Sequence, residues 1–243
     1  MSKITGKDGI ILVGGYSLSA QFSNYEASKA VQSIDVTGFG EGNTNYIPGM
    51  STAEMTLNGY WDNTANGIND ALKSLGTKVA TVLPEGYPAL GSPSLSINAM
   101  QESWTPAAGV DAAITIGSVK FMASGAGYGL YDGWALQHGT ITNTTTGTGF
   151  DDPSGGAVTA ACAGIIHVWT PCATDTYAVK IQHSTTLGSG YADLITFTVN
   201  GSARASEVVQ VASGTVNRYR RIVATRTGAA GNTFGFTVCF WHS

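Results

Sequence analysis

The chain has 243 residues, of which 32 are glycine and only 12% are charged, with a formal net charge of −4. Globular chains carry roughly 25% charged residues, and this make-up favours strands and turns over helices. The length suits one large β domain or two small ones. There is no stretch near the roughly 18 apolar residues of a membrane span, nor the broad basic excess of a nucleic-acid binder.

The opening MSKITGKDG lacks the apolar core of a signal peptide, so the chain reads as one made in a reducing cytoplasm. Residues 36 to 50, VTGFGEGNTNYIPGM, form a glycine-rich loop. Gly38, Gly40 and Gly42 invite comparison with phosphate-binding loops, but those lead into a helix N-terminus and usually carry a lysine. Here Ile47-Pro48-Gly49 leads into a strand, and no lysine lies between Lys29 and Lys73. Phosphate binding fails on context.

The next stretch, STAEMTLNGYWD, alternates. Ala53, Met55, Leu57, Gly59 and Trp61 face one side, while Thr52, Glu54, Thr56, Asn58, Tyr60 and Asp62 face the other, the pattern of a half-buried strand. In NTANGINDALKSLGTK, the i, i+4, i+7 spacing of Ile68, Leu72 and Leu75 predicts a helix over about 64–75. Asn63, Thr64 or Asn66 would be its N-cap and Gly76 its stop. In AAITIGSVKFMAS the apolar parity changes between Ile116 and Val119, which predicts a bulge at Gly117-Ser118.

Residues 139–156, GTITNTTTGTGFDDPSGG, have almost no large apolar side chain and suit a linker or a long exposed loop. Beyond them, TYAVKIQH places Tyr177, Val179 and Ile181 on one face. TFGFTVCFWHS does the same with Phe234, Phe236, Val238 and Phe240. The expected fold is all-β. Residues 1–138 form a β-sandwich or barrel with one short flanking helix, 139–156 connect, and 157–243 form a second β-sandwich-like region.

Charge divides unevenly. Up to Phe150 there are six lysines, no arginine and eleven acids, a net of −5; from Asp151 onward the net is +1. Arg218, Arg220, Arg221 and Arg226 cluster within nine residues. They suit either an edge strand kept soluble by charge or a grip on an acidic neighbouring subunit.

Reactive chemistry is sparse. Cys162, Cys172 and Cys239 have no metal-like spacing and read as ordinary thiols, with a Cys162–Cys172 bridge as the alternative. His138, His167, His183 and His242 are scattered, and His183, at a strand end, suits a turn or interface. Asp151 and Asp152 read as a solvated turn. Trp61, Trp104, Trp134, Trp169 and Trp241 lie in or beside strands, where core packing is the default. There is no G-x-S-x-G elbow and no H-E-x-x-H. The expectation is no enzyme, no cofactor and no metal.

The order of DGIILVGGYSLS, then VQSIDVTGFGEGNTNYIPGMSTAEMTLNGYWD, the helix and IGSVKFMASGAGYGLYDGWAL resembles the major tail proteins that form the tube of long-tailed bacteriophages. YAVKIQHSTTLGSGYADLITFT and GTVNRYRRIVATRTG resemble the C-terminal part of a group of such virion proteins. The resemblance implies homohexameric rings stacked into a hollow tail tube. It also implies contacts with other tail proteins such as tape measure and terminator, DNA passing through without specific binding, and no membrane. Gly38 to Met50 would be an arm onto a neighbouring subunit, with the glycines letting it bend and Tyr46, Ile47 and Met50 as anchors; it would order only on assembly. Glu54 and Asp62 would be lumen carboxylates, although solvent-facing strand positions explain them equally. The region from Ala157 would either decorate the tube or complete its fold. Two other readings remain open: a capsid decoration or cement protein, and a glycan-binding module.

Overall fold

A computed structural model describes residues 6–39, 42–110, 112–123, 129–153, 155–228 and 231–243. Because the described sequence is dominated by alternating strands and glycine turns, most of it falls into two antiparallel sheets. A single 3-10 turn, Gly6–Asp8, precedes β1 (Ile10–Val13), β2 (Tyr16–Ser17), β3 (Phe22–Asp35) and β4 (Tyr46–Tyr60). Helix α1 (Ile68–Leu72) is followed by β5 (Gly76–Leu83), β6 (Ser92–Gln101), β7 (Thr105–Ala107), β8 (Thr115–Ala123) and β9 (Leu130–Ile141). The remaining strands are β10 (Thr145–Thr146), β11 (Phe150–Asp151), β12 (Val158–Thr170), β13 (Thr176–Ser184), β14 (Ala192–Thr196), β15 (Ala205–Val216), β16 (Tyr219–Thr227) and β17 (Phe234–His242).

The larger sheet runs β15-β12-β17-β9-β6-β5-β1-β2, with β8 branching from β6 and carrying β4 and then β3. The smaller sheet runs β10-β16-β13-β14, and β11 also pairs with β16. Apolar cores fill both sides. One lies between the sheets, where Phe234, Phe236, Val238 and Phe240 of β17 meet Tyr177, Val179 and Ile181 of β13. The Tyr177 and Phe234 rings stack at 4.4 Å, so the alternation read in both segments is the one observed. A second core lies under β4, β6 and β8, where Met55, Leu57, Val119 and Phe121 pack with Ile68 and Leu72 of α1.

The large sheet curls back on itself. A Cβ at Gly15 would stand 2.6 Å from the Ala205 nitrogen, so only glycine, here at φ +86°, lets β2 approach β15 this closely. Within the curl, Val79 of β5, Tyr131 and Ala135 of β9 and Cys239 of β17 pack with Ala163 and Ile165 of β12. There His167 Nε2 also contacts Thr81 Oγ1.

Several local expectations change. The bulge at Gly117-Ser118 is present: Leu57 pairs with Val119 and Gly59 with Ile116, so one residue of β4 faces two of β8, and Ser118 takes φ 52°. The helix is shorter than the expected 64–75. Gly67 is its N-cap, with no side-chain cap bond, and Leu75 lies outside it and is exposed. The expected caps are used elsewhere. Asp62 holds the Thr64 N–H and hydroxyl, Asn66 turns at φ 66°, and Asn63 accepts from Asn69. Lys78 and Gln101 then donate to the Ala71 and Leu72 carbonyls, closing the helix after little more than one turn.

Residues 139–156 are more structured than a linker. They hold the end of β9, then β10 and β11 paired with β16, and bury Phe150 and Asp152. On the two sides of this segment, β9 and β17 are hydrogen-bonded neighbours. Nor is the arginine-rich β16 an edge strand, since β13 lies on one side of it and β10 and β11 on the other.

Candidate functional site

The most distinctive feature is the β3–β4 hairpin. Its ladder pairs Phe22 with Gly59 at the root and Asp35 with Tyr46 at the far end, with a register shift between Val31 and Ser33. Near the root, Ala53, Met55 and Leu57 are buried. From Ser28 outward on β3, and from Tyr46 to Thr52 on β4 apart from Gly49, every residue is exposed. Both faces of the distal ladder are therefore wet, and the hairpin projects from the body as a two-stranded arm.

Its distal surface is apolar. Val31, Ile34, Val36, Tyr46 and Ile47 are all at least 42% exposed, and Met50 reaches 78%. Single exposed apolar residues are normal, but this many on one short ribbon make it a candidate interaction site. The end of the ladder is closed by polar bonds: the Val36 N–H donates to the Asn45 carbonyl, and the Thr37 N–H and hydroxyl donate to Asp35. These Thr37 bonds hold the Asp35 carboxyl below the usual carboxylate range. Gly49 leaves room for its neighbours, since a Cβ there would stand 3.0 Å from Ile34 Cδ1 and 3.1 Å from the Gln32 carbonyl.

The expected arm residues divide between turn and ladder. Gly38 and Gly42 lie in the exposed turn, and Gly40 falls outside the described residues. Tyr46 and Ile47 are ladder residues paired with Asp35 and Ile34, so this part of the arm is strand and not loop. Val31, Ile34, Val36 and Phe39 join the arm although sequence reasoning does not single them out. Phe39 shows 113% relative exposure, and a lone aromatic beside Gly38 in a polar turn is the available signal.

The arm continues a polar sheet face opposite the second core. Glu26 of β3 and Glu54 of β4 lie on it, and Lys120 of β8 sits 2.9 Å from Glu54 and 3.9 Å from Glu102. Two carboxylates, Glu54 and Glu102, thus flank the one ammonium of Lys120, and Glu26 adds a third carboxylate farther along the face. Asp62 instead organises its own turn, where bonds from the Thr64 N–H, the Gln21 amide and the Thr64 hydroxyl depress its pKa.

The arginines do not form one patch, because neighbouring positions on a strand face opposite ways. Arg218 pairs with Asp151, while Arg221 bonds Gln182 and lies 3.9 Å over the Tyr191 ring. Arg220 is wholly buried against Asp152 and the Phe240 ring, and Arg226 is held by Asp175. Asp152, expected in a solvated turn, is buried between Arg220 and His242. Arg220 thus faces the core and no partner.

The other candidate chemistry is structural. Cys162, Cys172 and Cys239 are free and buried; burial pushes Cys162 up to about 11 and Cys239 to about 12. His138 bonds Thr237 at 2.8 Å, and His183 accepts from the Asn217 N–H. Trp61 and Trp104 stack on each other, and all five tryptophans are partly buried. Among the described residues no helix is long and apolar enough to cross a membrane.

No protein-family model matches this sequence, and no curated protein matches it. Among solved structures, a chain of the virion of a native gene transfer agent (GTA) particle is similar, at a TM-score of 0.39 and 14% identity. That match covers 54% of this chain and 98% of the other.

Proposed function

We propose that this chain is a structural protein of a virion. In this reading its copies assemble into hexameric rings stacked as a tail tube, the conduit through which DNA leaves. The observation that carries it is the projecting β3–β4 arm, apolar at its far end and exposed on both faces. An isolated two-stranded ribbon is marginal in water, and a bare apolar edge is an aggregation hazard unless another chain covers it. Along its outer edge β3 pairs with no other described strand, and β4 from Tyr46 to Ala53 pairs only with β3. Another copy covering these edges would turn a liability into a joint. The role is mechanical and not catalytic.

The polar face beside the arm suits a conduit. With Glu26, Glu54 and Glu102 against Lys120, it repels phosphate instead of gripping it. In this reading the protein belongs to the tail of the virion and is made beforehand in the host cytoplasm.

Negative-stain electron microscopy of the concentrated protein, with mass photometry on the same sample, tests the reading. Six-membered rings or hollow tubes are expected. Three-fold knobs would replace it with a capsid-decoration role, and a monomer that binds saccharide on a glycan array would replace it with a glycan-binding one.

A further inference from the structure

Resting on that assembly reading, we propose that the tip of one copy's arm is received by the cleft at the root of a second copy's arm, with the Phe39 ring as the plug. The cleft measures about 440 Å³ and is floored by Ile11, Phe22 and Val82, with Lys7, Ser23 and Tyr25 on its rim. An apolar floor under a polar rim, in this size range, is the form of sites that take a small organic group. Phe39 is the most exposed large apolar side chain among the described residues, and it stands at the opposite end of the same ladder.

Charge supports the match. Asp35, at the base of the tip, is held ionised by Thr37 and pairs with no cation among the described residues. Lys7, on the cleft rim, likewise joins no ion pair among the described residues. Seating Phe39 on the floor brings these two charges to the same rim.

Geometry makes the contact intermolecular. From Tyr25 to Asp35 the ladder runs ten residues, about 33 Å at roughly 3.3 Å per residue, and its exposed faces show that it does not fold back. A chain therefore cannot fill its own cleft. Plug and socket lie on different surfaces, so the contact is heterologous: it closes into a ring or continues as a stack.

Cross-linking between two variants of the full chain, each with one added cysteine, tests this. Thr44→Cys, which lies in the exposed tip and keeps Phe39, and Ser23→Cys proteins are purified separately, mixed in equal amounts under assembly conditions and treated with a short bismaleimide. The native thiols are buried and give little background. A linked dimer is expected in the mixture and in neither protein alone, with yield reduced severalfold when Lys7→Glu is added to the Ser23→Cys partner. Rings or tubes on the grid with no linked dimer would overturn the socket while leaving the assembly reading intact. Linkage of Thr44→Cys to Met100→Cys, in the groove beside Leu75, would overturn it in favour of that site. Absence of both particles and linkage would remove the assembly reading and this proposal with it.

Discussion

His167 Nε2 lies 2.8 Å from Thr81 Oγ1, and neither side chain has any exposed surface. Thr81 in turn contacts Ser96 at 2.8 Å, so one buried polar chain joins β12 to β5 and β6. Burial pushes His167 from an ordinary 6.5 down to about 3. As pH falls below 6.5 the unfolded chain takes a proton here that the folded chain refuses. Stability from this site is complete above that pH and is lost between 6.5 and about 3, at roughly 1.4 kcal/mol per pH unit. Urea unfolding at pH 7, 5 and 4 should show this loss, and His167→Gln should remove that part of the slope. An unchanged slope in the variant would place the acid sensitivity elsewhere.

The Arg220–Asp152 pair of β16 and the Arg218–Asp151 pair just before it should respond very differently to truncation. Arg220→Ala removes the guanidinium that pairs with buried Asp152 and should cost about 3–5 kcal/mol. Arg218→Ala breaks an exposed, solvent-screened pair and should leave the midpoint almost unchanged. Denaturant midpoints of the two variants give the comparison directly. Equal losses would mean that Arg220 is not sealed from water.

The arm should be separable from the body. Met50 and Tyr46 are mostly exposed, so with Met50→Asp or Tyr46→Asp the melting temperature should move by no more than about a degree or two. Ring or tube formation should be abolished. Amide exchange should be fast across residues 38 to 45 in the free protein and slow on assembly. Full assembly by Met50→Asp would show that the arm is not the joint.

Reversing the acidic face should change how assembled particles treat DNA. Glu54→Lys with Glu102→Lys replaces the two carboxylates nearest Lys120 by positive charge. Assembled wild-type protein should release DNA in co-sedimentation at about 50 mM salt. The double variant should retain it there and release it near 200 mM, as counterion release requires. Retention by the wild type would rule out a lumen that repels phosphate.

Legibility in the sequence follows one-sided burial. Ala53, Met55 and Leu57 announce their strand because one face meets a core and the other meets water. By contrast, the distal part of β3 is wet on both faces, so SKAVQSID carries no period to read, and the arm reads as a loop confined to residues 38–50. The helix is overextended in the sequence because Leu75 continues the spacing of Ile68 and Leu72, while the Asp62–Thr64 turn and the left-handed Asn66 delay its start. Arg220 shares its alternation with buried Ile222 and Ala224, a pattern visible in the sequence. Its partner Asp152 lies 68 residues away, and only the fold brings the two together.

The place of β17 has a consequence for timing. It lies between β12 and β9 and is buried on both faces, yet among the described strands it is the last to be synthesised. Until Phe234–His242 is inserted, the large sheet has an open slot at its middle, and both cores that β17 lines are incomplete. A chain that stops short of β17 has no finished body to anchor the arm, and the two-stranded ribbon alone is marginal in water. Sheets completed by such long-range pairing form slowly. Chains that lack β17 should therefore fail to complete either core that it lines.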